Sequence, residues 1–354
     1  MLTDLKSRLL KPFQSLQPVE LPPPGLYHFE QHNGAEKTRL HLRLEKDGQG
    51  LLLVNASRSL HLNPSAAFMA YLFFTKTPPS QAVASITRRY NISYKQAQID
   101  YAQLASNLDQ LIHPDGACPV CELNLDTLAP FSTRPSAPYR MDLAITYRCN
   151  NNCSHCYNAR PRSFPELPTS QWKVILDKLW QIGIPHIVFT GGEPTLRSDL
   201  PELIAHAEKN GQITGINTNG RKLKDLSFVH QLLESGLDHV QITLESQFPT
   251  IHDQMVAMPG AWEETVEGIK NVLSTRLFVM TNSTLLQHNS KDLPALLTFL
   301  EQLGVPTFGL NALIYSGRGE TVGTGLAESD LPPLLEIART HSARTGKRLI
   351  WYTP

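Results

Sequence analysis

The stretch AITYRCNNNCSHCYNARP, residues 144–161, joins a short apolar run to three cysteines spaced C-x3-C-x2-C, at Cys149, Cys153 and Cys156. Three thiolates hold three irons of a [4Fe–4S] cluster and leave the fourth iron open to an exogenous ligand. A zinc site is the other reading of such cysteines, but zinc takes four ligands. His155 is the only near candidate, and beside Cys156 it cannot easily turn to the same ion. The apolar run reads as a strand, 141–147, so the cysteines lie on the loop at its C-terminal end. In a parallel β/α array, sites are built at that end.

Downstream, strand candidates at 186–190, 213–217, 239–244, 277–283 and 307–314 follow the first one. Helix candidates lie near 170–182, 199–210, 222–235, 262–274, 290–303 and 329–344. The first helix carries the stripe Trp172, Ile175, Leu176 and Leu179, spaced i, i+3, i+4, i+7. Six β–α repeats predict an α/β fold with a parallel sheet that its right-handed crossovers curl towards a barrel. Six units are fewer than the eight of a closed barrel. Leu349-Ile350-Trp351-Tyr352 reads as a strand cut off at the chain end, with the expectation that the natural protein continues.

Upstream, residues 1–25 read as a short amphipathic helix and a connector, Pro22-Pro23-Pro24. A small α+β unit is predicted over 26–113. Leu40, Leu42 and Leu44 alternate at strand period, Asp47-Gly48 signals a hairpin, and Leu51 to Val54 return. Leu60 and Leu62 suggest a third strand. Asn63-Pro64 reads as helix cap and first helical position. Two further helices are predicted near Ser80 and Ser93, the latter with Ser93 and Gln96 as a capping box. Residues 114–139 hold five prolines and little periodicity, and are read as a linker. The domains are then 1–25, 26–113, 114–139 and 140–354.

Composition narrows the classes. The chain has 354 residues, 41% hydrophobic, with 32 Lys and Arg against 32 Asp and Glu. A neutral balance gives no case for nucleic acid or an anionic membrane surface. No apolar run approaches the ~18 residues of a membrane span. The N-terminus lacks the apolar core of a secretory signal. Five cysteines in two tight groups make a poor disulfide framework, and point to metal ligation in a reducing cytoplasm.

At roughly 140–320 the motif and its place resemble the radical S-adenosylmethionine (SAM) superfamily, whose pattern is C-x3-C-x-φ-C with φ usually aromatic; His155 fills that place. The resemblance implies a partial (β/α)6 radical SAM barrel with two cofactors, the cluster and SAM. SAM would chelate the open iron through its amino and carboxylate groups. An electron from the cluster would break the sulfonium C–S bond, giving methionine and a 5′-deoxyadenosyl radical that abstracts a hydrogen atom from substrate. It also implies cofactor-facing roles for His155 and Tyr157, and an electron donor such as flavodoxin or ferredoxin.

Further segments carry the resemblance. Gly191-Gly192-Glu193-Pro194 resembles the GGE motif, which implies that Glu193 accepts from the SAM amino group. Its glycines let backbone approach a ligand closely. Asn217-Thr218-Asn219-Gly220 resembles the TNG segment facing the barrel mouth; a plain turn is the other reading. Thr243 and Glu245, on one face of Gln241 to Ser246, resemble the SLD motif and imply contact with the SAM ribose; the alternative is a packed barrel layer. Asn311 and Gly317-Arg318 resemble a cofactor-adjacent segment, with Arg318 either on the SAM carboxylate or in solvent. One departure stands out. Many relatives carry His-Asp-x-x-Arg-Gly, and here His252-Asp253-Gln254-Met255-Val256-Ala257 lacks the arginine.

Residues 26–113 resemble the PqqD-like domain that recognises leader peptides, which implies a peptide maturase of the PqqE or SPASM type with a precursor peptide as partner. A winged-helix-like docking unit is the alternative. Two other functions compete. One is a radical SAM enzyme acting on a small molecule such as a tetrapyrrole; the other is an iron–sulfur electron carrier. Cys118 and Cys121 are half a metal site or ordinary thiols, and an auxiliary cluster is expected only if the chain continues beyond 354.

Overall fold

The computed structural model describes residues 21–33, 36–55, 58–112, 135–158 and 160–352. It divides into two compact units, Met1–Ser136 and Ala137–Pro354. The predicted N-terminal helix and the pair Cys118 and Cys121 lie outside the described residues.

The first unit is a four-stranded antiparallel sheet, β1 (Gly25–Asn33), β2 (Glu36–Leu44), β3 (Gly50–Val54) and β4 (Arg58–Leu62), in sequential order, followed by α1 (Pro64–Phe74), α2 (Pro79–Tyr90) and α3 (Tyr94–Ile112). The sequence predicts three strands; β1 is the addition. It has only Tyr27 and Phe29 as an apolar alternation, and both pack against the core formed by Leu40, Leu42 and Leu52. The Asp47-Gly48 turn forms with Gly48 at φ +85°. Asn63 caps α1 by accepting from Ala66 N at 2.9 Å. The predicted box at Ser93 forms by half: Ser93 Oγ accepts from Gln96 N at 3.1 Å, while the Gln96 side chain turns to Asp100 at 2.8 Å.

The second unit is one parallel sheet of seven strands, β5 (Arg140–Thr146), β6 (His186–Gly191), β7 (Ile213–Thr218), β8 (His239–Thr243), β9 (Phe278–Thr284), β10 (Thr307–Asn311) and β11 (Arg348–Trp351), each beside its sequence neighbour. Helices α4 (Thr169–Gln181), α5 (Leu200–Asn210), α6 (Leu226–Glu234), α8 (Ala261–Leu273), α9 (Leu293–Leu303) and α10 (Leu331–Thr345) fill the crossovers, and α7 (Pro249–Val256) precedes α8. Beyond the six expected β–α units, the strand expected at the terminal run forms as the seventh and pairs parallel with β10. Helix 222–235 is divided, because Asp225 accepts from Ser227 N at 2.9 Å and starts α6 after a 3-10 turn. Strand β10 stops at Asn311, and Leu313 and Ile314 turn to line a cavity.

Strand alternation sorts the two faces. Ile187, Phe189, Ile216, Val240 and Ile242 point outward into the helix layer, each worth about 1.5–3 kcal/mol on burial. The intervening residues, Thr190, Asn217, Gln241, Asn282 and Asn311, line the interior. No helix among the described residues is long and apolar enough to cross a membrane.

Candidate active site

The loop after β5 is held by backbone and by three arginines. Asn152 N donates to Val256 O at 2.9 Å and Ser154 N to Met255 O at 3.1 Å, so the last turn of α7 docks on the loop. Arg221 donates to Asn150 O at 2.7 Å and Asn151 Oδ1 at 3.0 Å, and is itself fixed by Glu264 at 2.6 Å. Arg162 donates to Cys149 O at 3.0 Å and to Asn151 O. Arg318 gives its backbone N–H to Cys156 O at 2.9 Å and its guanidinium to Asn152 Oδ1. With the loop's polar groups taken by these residues, Cys149, Cys153 and Cys156 remain free thiols. Where relatives carry the arginine after His-Asp, Val256 supplies only its carbonyl. Its neighbours are structural: Asp253 accepts from Gly260 N at 2.6 Å and Trp262 N at 2.9 Å.

Burial pushes the Cys153 thiol up to about 12, with the Glu245 carboxylate adding to the effect. Burial likewise raises Cys149. Such thiols keep their protons until a metal takes the sulfur, so cluster assembly releases protons. Among the described residues no three His, Cys, Asp or Glu side chains converge as a single-ion site. Thiolates that each serve a different iron of a cubane have no need to meet at one point.

The glycines of the 191–194 segment line the cavity and also make a close approach within the protein. A Cβ on Gly191 would lie 1.9 Å from Thr146 O, and one on Gly192 2.2 Å from Arg148 O and 2.6 Å from Tyr147 O. Gly192 N donates to Thr146 O at 2.8 Å and Glu193 N to Arg148 O at 2.7 Å. The close approach is thus between the end of β6 and the root of the cysteine loop. Gly192→Ala is expected to destabilise the protein by about 1–3 kcal/mol through overpacking and to lower iron uptake on anaerobic reconstitution. Unchanged unfolding and full iron per chain would contradict this.

Glu193 is buried with both oxygens occupied. Oε1 accepts from Thr195 N at 3.1 Å, Thr195 Oγ1 at 2.7 Å and Thr218 Oγ1 at 2.7 Å; Oε2 accepts from Asn219 N at 2.7 Å. Burial raises its pKa while these donors oppose the shift. The carboxylate therefore bolts β6 to β7. Neither Glu193 nor Pro194, which opens a buried 3-10 turn, lines the cavity.

Glu245 is occupied as well. Oε1 meets His155 Nε2 at 2.9 Å and Oε2 accepts from Thr284 N at 2.8 Å. Its backbone N–H donates to His252 Nδ1 at 3.1 Å, and its carbonyl accepts from Asn289 Nδ2 at 2.7 Å. Burial opposes the charged form of His155, but the adjacent carboxylate prevails and its pKa is raised.

A cavity of about 770 Å³ opens between the cysteine loop and the C-terminal ends of the strands. Cys149, Cys153, Cys156, His155, Tyr157, Gly191, Gly192, Asn217, Asn219, Thr243, Glu245 and Arg318 all line it. Asn219 Nδ2 donates to Asn150 Oδ1 at 2.6 Å. Thr243 and Asn217 face the interior by alternation. The sequence reading passed over Arg162, Arg221 and Asn282. The signal for Asn282 was inward alternation in β9; nothing local distinguishes either arginine. Asn282 Oδ1, Asn311 Oδ1 and His155 Nδ1 are buried without a hydrogen-bond partner among the described residues. Unpaired buried polar atoms cost free energy unless a ligand or water meets them. Three free thiols and these polar atoms around one cavity fit a cluster together with a polar ligand.

Residues 143–300 match the sequence profile of the Radical SAM superfamily. The Fe-coproporphyrin III synthase of Methanosarcina barkeri is 38% identical over 177 residues, 49% of this chain and 44% of that protein. A PqqA peptide cyclase of Granulibacter bethesdensis is 29% identical over 177 residues, 49% of this chain and 47% of its own. The chain thus spans about half the length of the curated relatives it matches. Among solved structures, Streptococcus suis SuiB bound to its precursor peptide SuiA superposes with a TM-score of 0.64 at 16% identity, covering 93% of this chain and 73% of SuiB. At that identity the likeness is one of fold.

Proposed function

We propose, from the premise that residues 143–300 are a radical SAM enzyme domain, that this protein cleaves SAM reductively and uses the radical to modify a ribosomally made peptide. The observation that carries the first half is the set of three free thiols on a clamped loop at the cavity. Cys149, Cys153 and Cys156 would hold a [4Fe–4S] cluster, which together with SAM supplies the 5′-deoxyadenosyl radical. The chain's own part is to place and enclose the reactants. Arg162, Arg221 and Arg318 fix the loop backbone, and Glu193 fixes the strand ends beneath it. Asn217, Gln241, Asn282 and Asn311 offer one carboxamide per strand to bind polar ligand groups.

The peptide half is supported by the first unit. Among the described residues β1 and β4 each pair on one side only, and an open edge accepts an extended peptide through backbone hydrogen bonds, with side-chain pockets giving specificity. A second reading, a tetrapyrrole substrate, is favoured by the 38% identity to the coproporphyrin enzyme. Full-length protein, reconstituted anaerobically and reduced, is expected to form 5′-deoxyadenosine slowly without substrate. It should form it faster with a precursor peptide that loses hydrogen in the process, read by mass spectrometry. No 5′-deoxyadenosine at all would sink the first half. Stimulation by iron-coproporphyrin III and not by peptides would replace the second.

A further inference from the structure

Glu245 lines the cavity where the resemblance places a ribose contact, yet each of its carboxylate oxygens already has a partner within the protein. It is 1% exposed at the side chain, and His155 is 9% exposed. One oxygen holds His155 Nε2 at 2.9 Å, the other accepts from Thr284 N at 2.8 Å, and the backbone is held by His252 and Asn289. Glu245 is thus anchored at the junction of β8, α7 and β9. His155 lies between Cys153 and Cys156, and its Nδ1 has no partner among the described residues. The ring therefore has one hydrogen-bond anchor, and that anchor is Glu245.

We infer that Glu245 is a positioning residue: it latches the cysteine loop to the barrel through His155, and its effect on SAM is exerted through the loop rather than by touching the nucleoside. Residues that orient a metal's ligands from outside the coordination sphere typically change metal affinity or activity 10–100-fold when removed. A carboxylate that contacted ribose would act only when a nucleoside is bound. A latch acts on the cluster before any ligand arrives. The inference rests on the cluster reading of the site.

The test compares wild-type protein with Glu245→Ala, His155→Ala and the double variant, each full-length and reconstituted anaerobically. The first measurement is the paramagnetic resonance spectrum of the reduced cluster without ligand. The latch predicts that both single variants alter it, and that the double variant matches them. An unaltered ligand-free spectrum in Glu245→Ala would overturn the inference. SAM is then titrated. Glu245→Ala is expected to weaken its binding by about tenfold in the wild-type background and by less than about twofold when His155 is already alanine, since residues acting as a unit are not additive. Equal losses in both backgrounds would make Glu245 a direct contact and overturn the latch. If a variant takes up no cluster, urea unfolding of the four metal-free proteins decides. Coupling between the two positions supports the latch, and strict additivity removes it. A wild-type spectrum that ignores SAM would instead count against the proposed function, while the ligand-free comparison still judges the latch.

Discussion

Replacing Cys149, Cys153 and Cys156 together by alanine is expected to remove the cluster iron from reconstituted protein, its visible absorption, and all 5′-deoxyadenosine formation. The three thiols are soft ligands on one loop, and soft thiolates are the ligands iron–sulfur clusters require. The loop itself should persist, because its backbone is held by Val256 O, Met255 O, Arg162 and Arg221, and only the long 3.4 Å bond from Asn151 N to Cys149 Sγ is lost with the thiols. Unfolding of the metal-free variant should therefore stay close to that of the metal-free parent. Full iron retained by the triple variant would refute the assignment. Partial iron that disappears only when Cys118 and Cys121 are also changed would locate a second site at that pair.

Glu193→Ala is expected to act on stability first. The substitution leaves Thr195 N, Thr195 Oγ1, Thr218 Oγ1 and Asn219 N without the acceptor they share. At roughly 1–3 kcal/mol for each orphaned donor, and with water entering the space to satisfy some of them, the cost is about 3–6 kcal/mol. For a unit of this size that corresponds to a fall of roughly 10 °C in Tm. SAM binding should weaken as a consequence, since Asn219 lines the cavity and takes its position from Glu193 Oε2. Calorimetry on the metal-free variant separates this from the motif's expected role. An unchanged Tm with lost SAM affinity would mean that the carboxylate faces the ligand after all.

The two carboxylates illustrate how far a motif can be read. Gly-Gly-Glu-Pro and Thr-Leu-Glu-Ser were legible as segments at the ends of the second and fourth barrel strands, and the structure puts both there. Their direction was not legible. Strand alternation says which side of the sheet Glu245 faces, but not that His155, ninety residues earlier, takes one of its oxygens. The same holds for the glycines: a pair of residues without Cβ signals close approach, and only the fold identifies Thr146 and Arg148 as what is approached.

The sequence by itself determined the elements and the chemistry that are local in the chain. Hydrophobic period separates strand from helix over a few residues, so the β–α alternation from 140 onward was readable, as was the Asn63 cap. The C-x3-C-x2-C spacing carries its three soft ligands within eight residues, and needs no partner elsewhere to be recognised. Weak or absent local signal hid β1, with two alternating apolar positions, and α7, eight residues that begin at Pro249 without a side-chain cap. Tertiary structure alone decided the contacts between distant segments: Arg221 and Arg318 on the cysteine loop, α7 docked beneath it, Glu193 turned into the protein, and Glu245 paired with His155. Those choices follow from pairing most buried polar groups at once. That constraint is set by whichever strands and loops the sheet brings together, and no single stretch of sequence contains it.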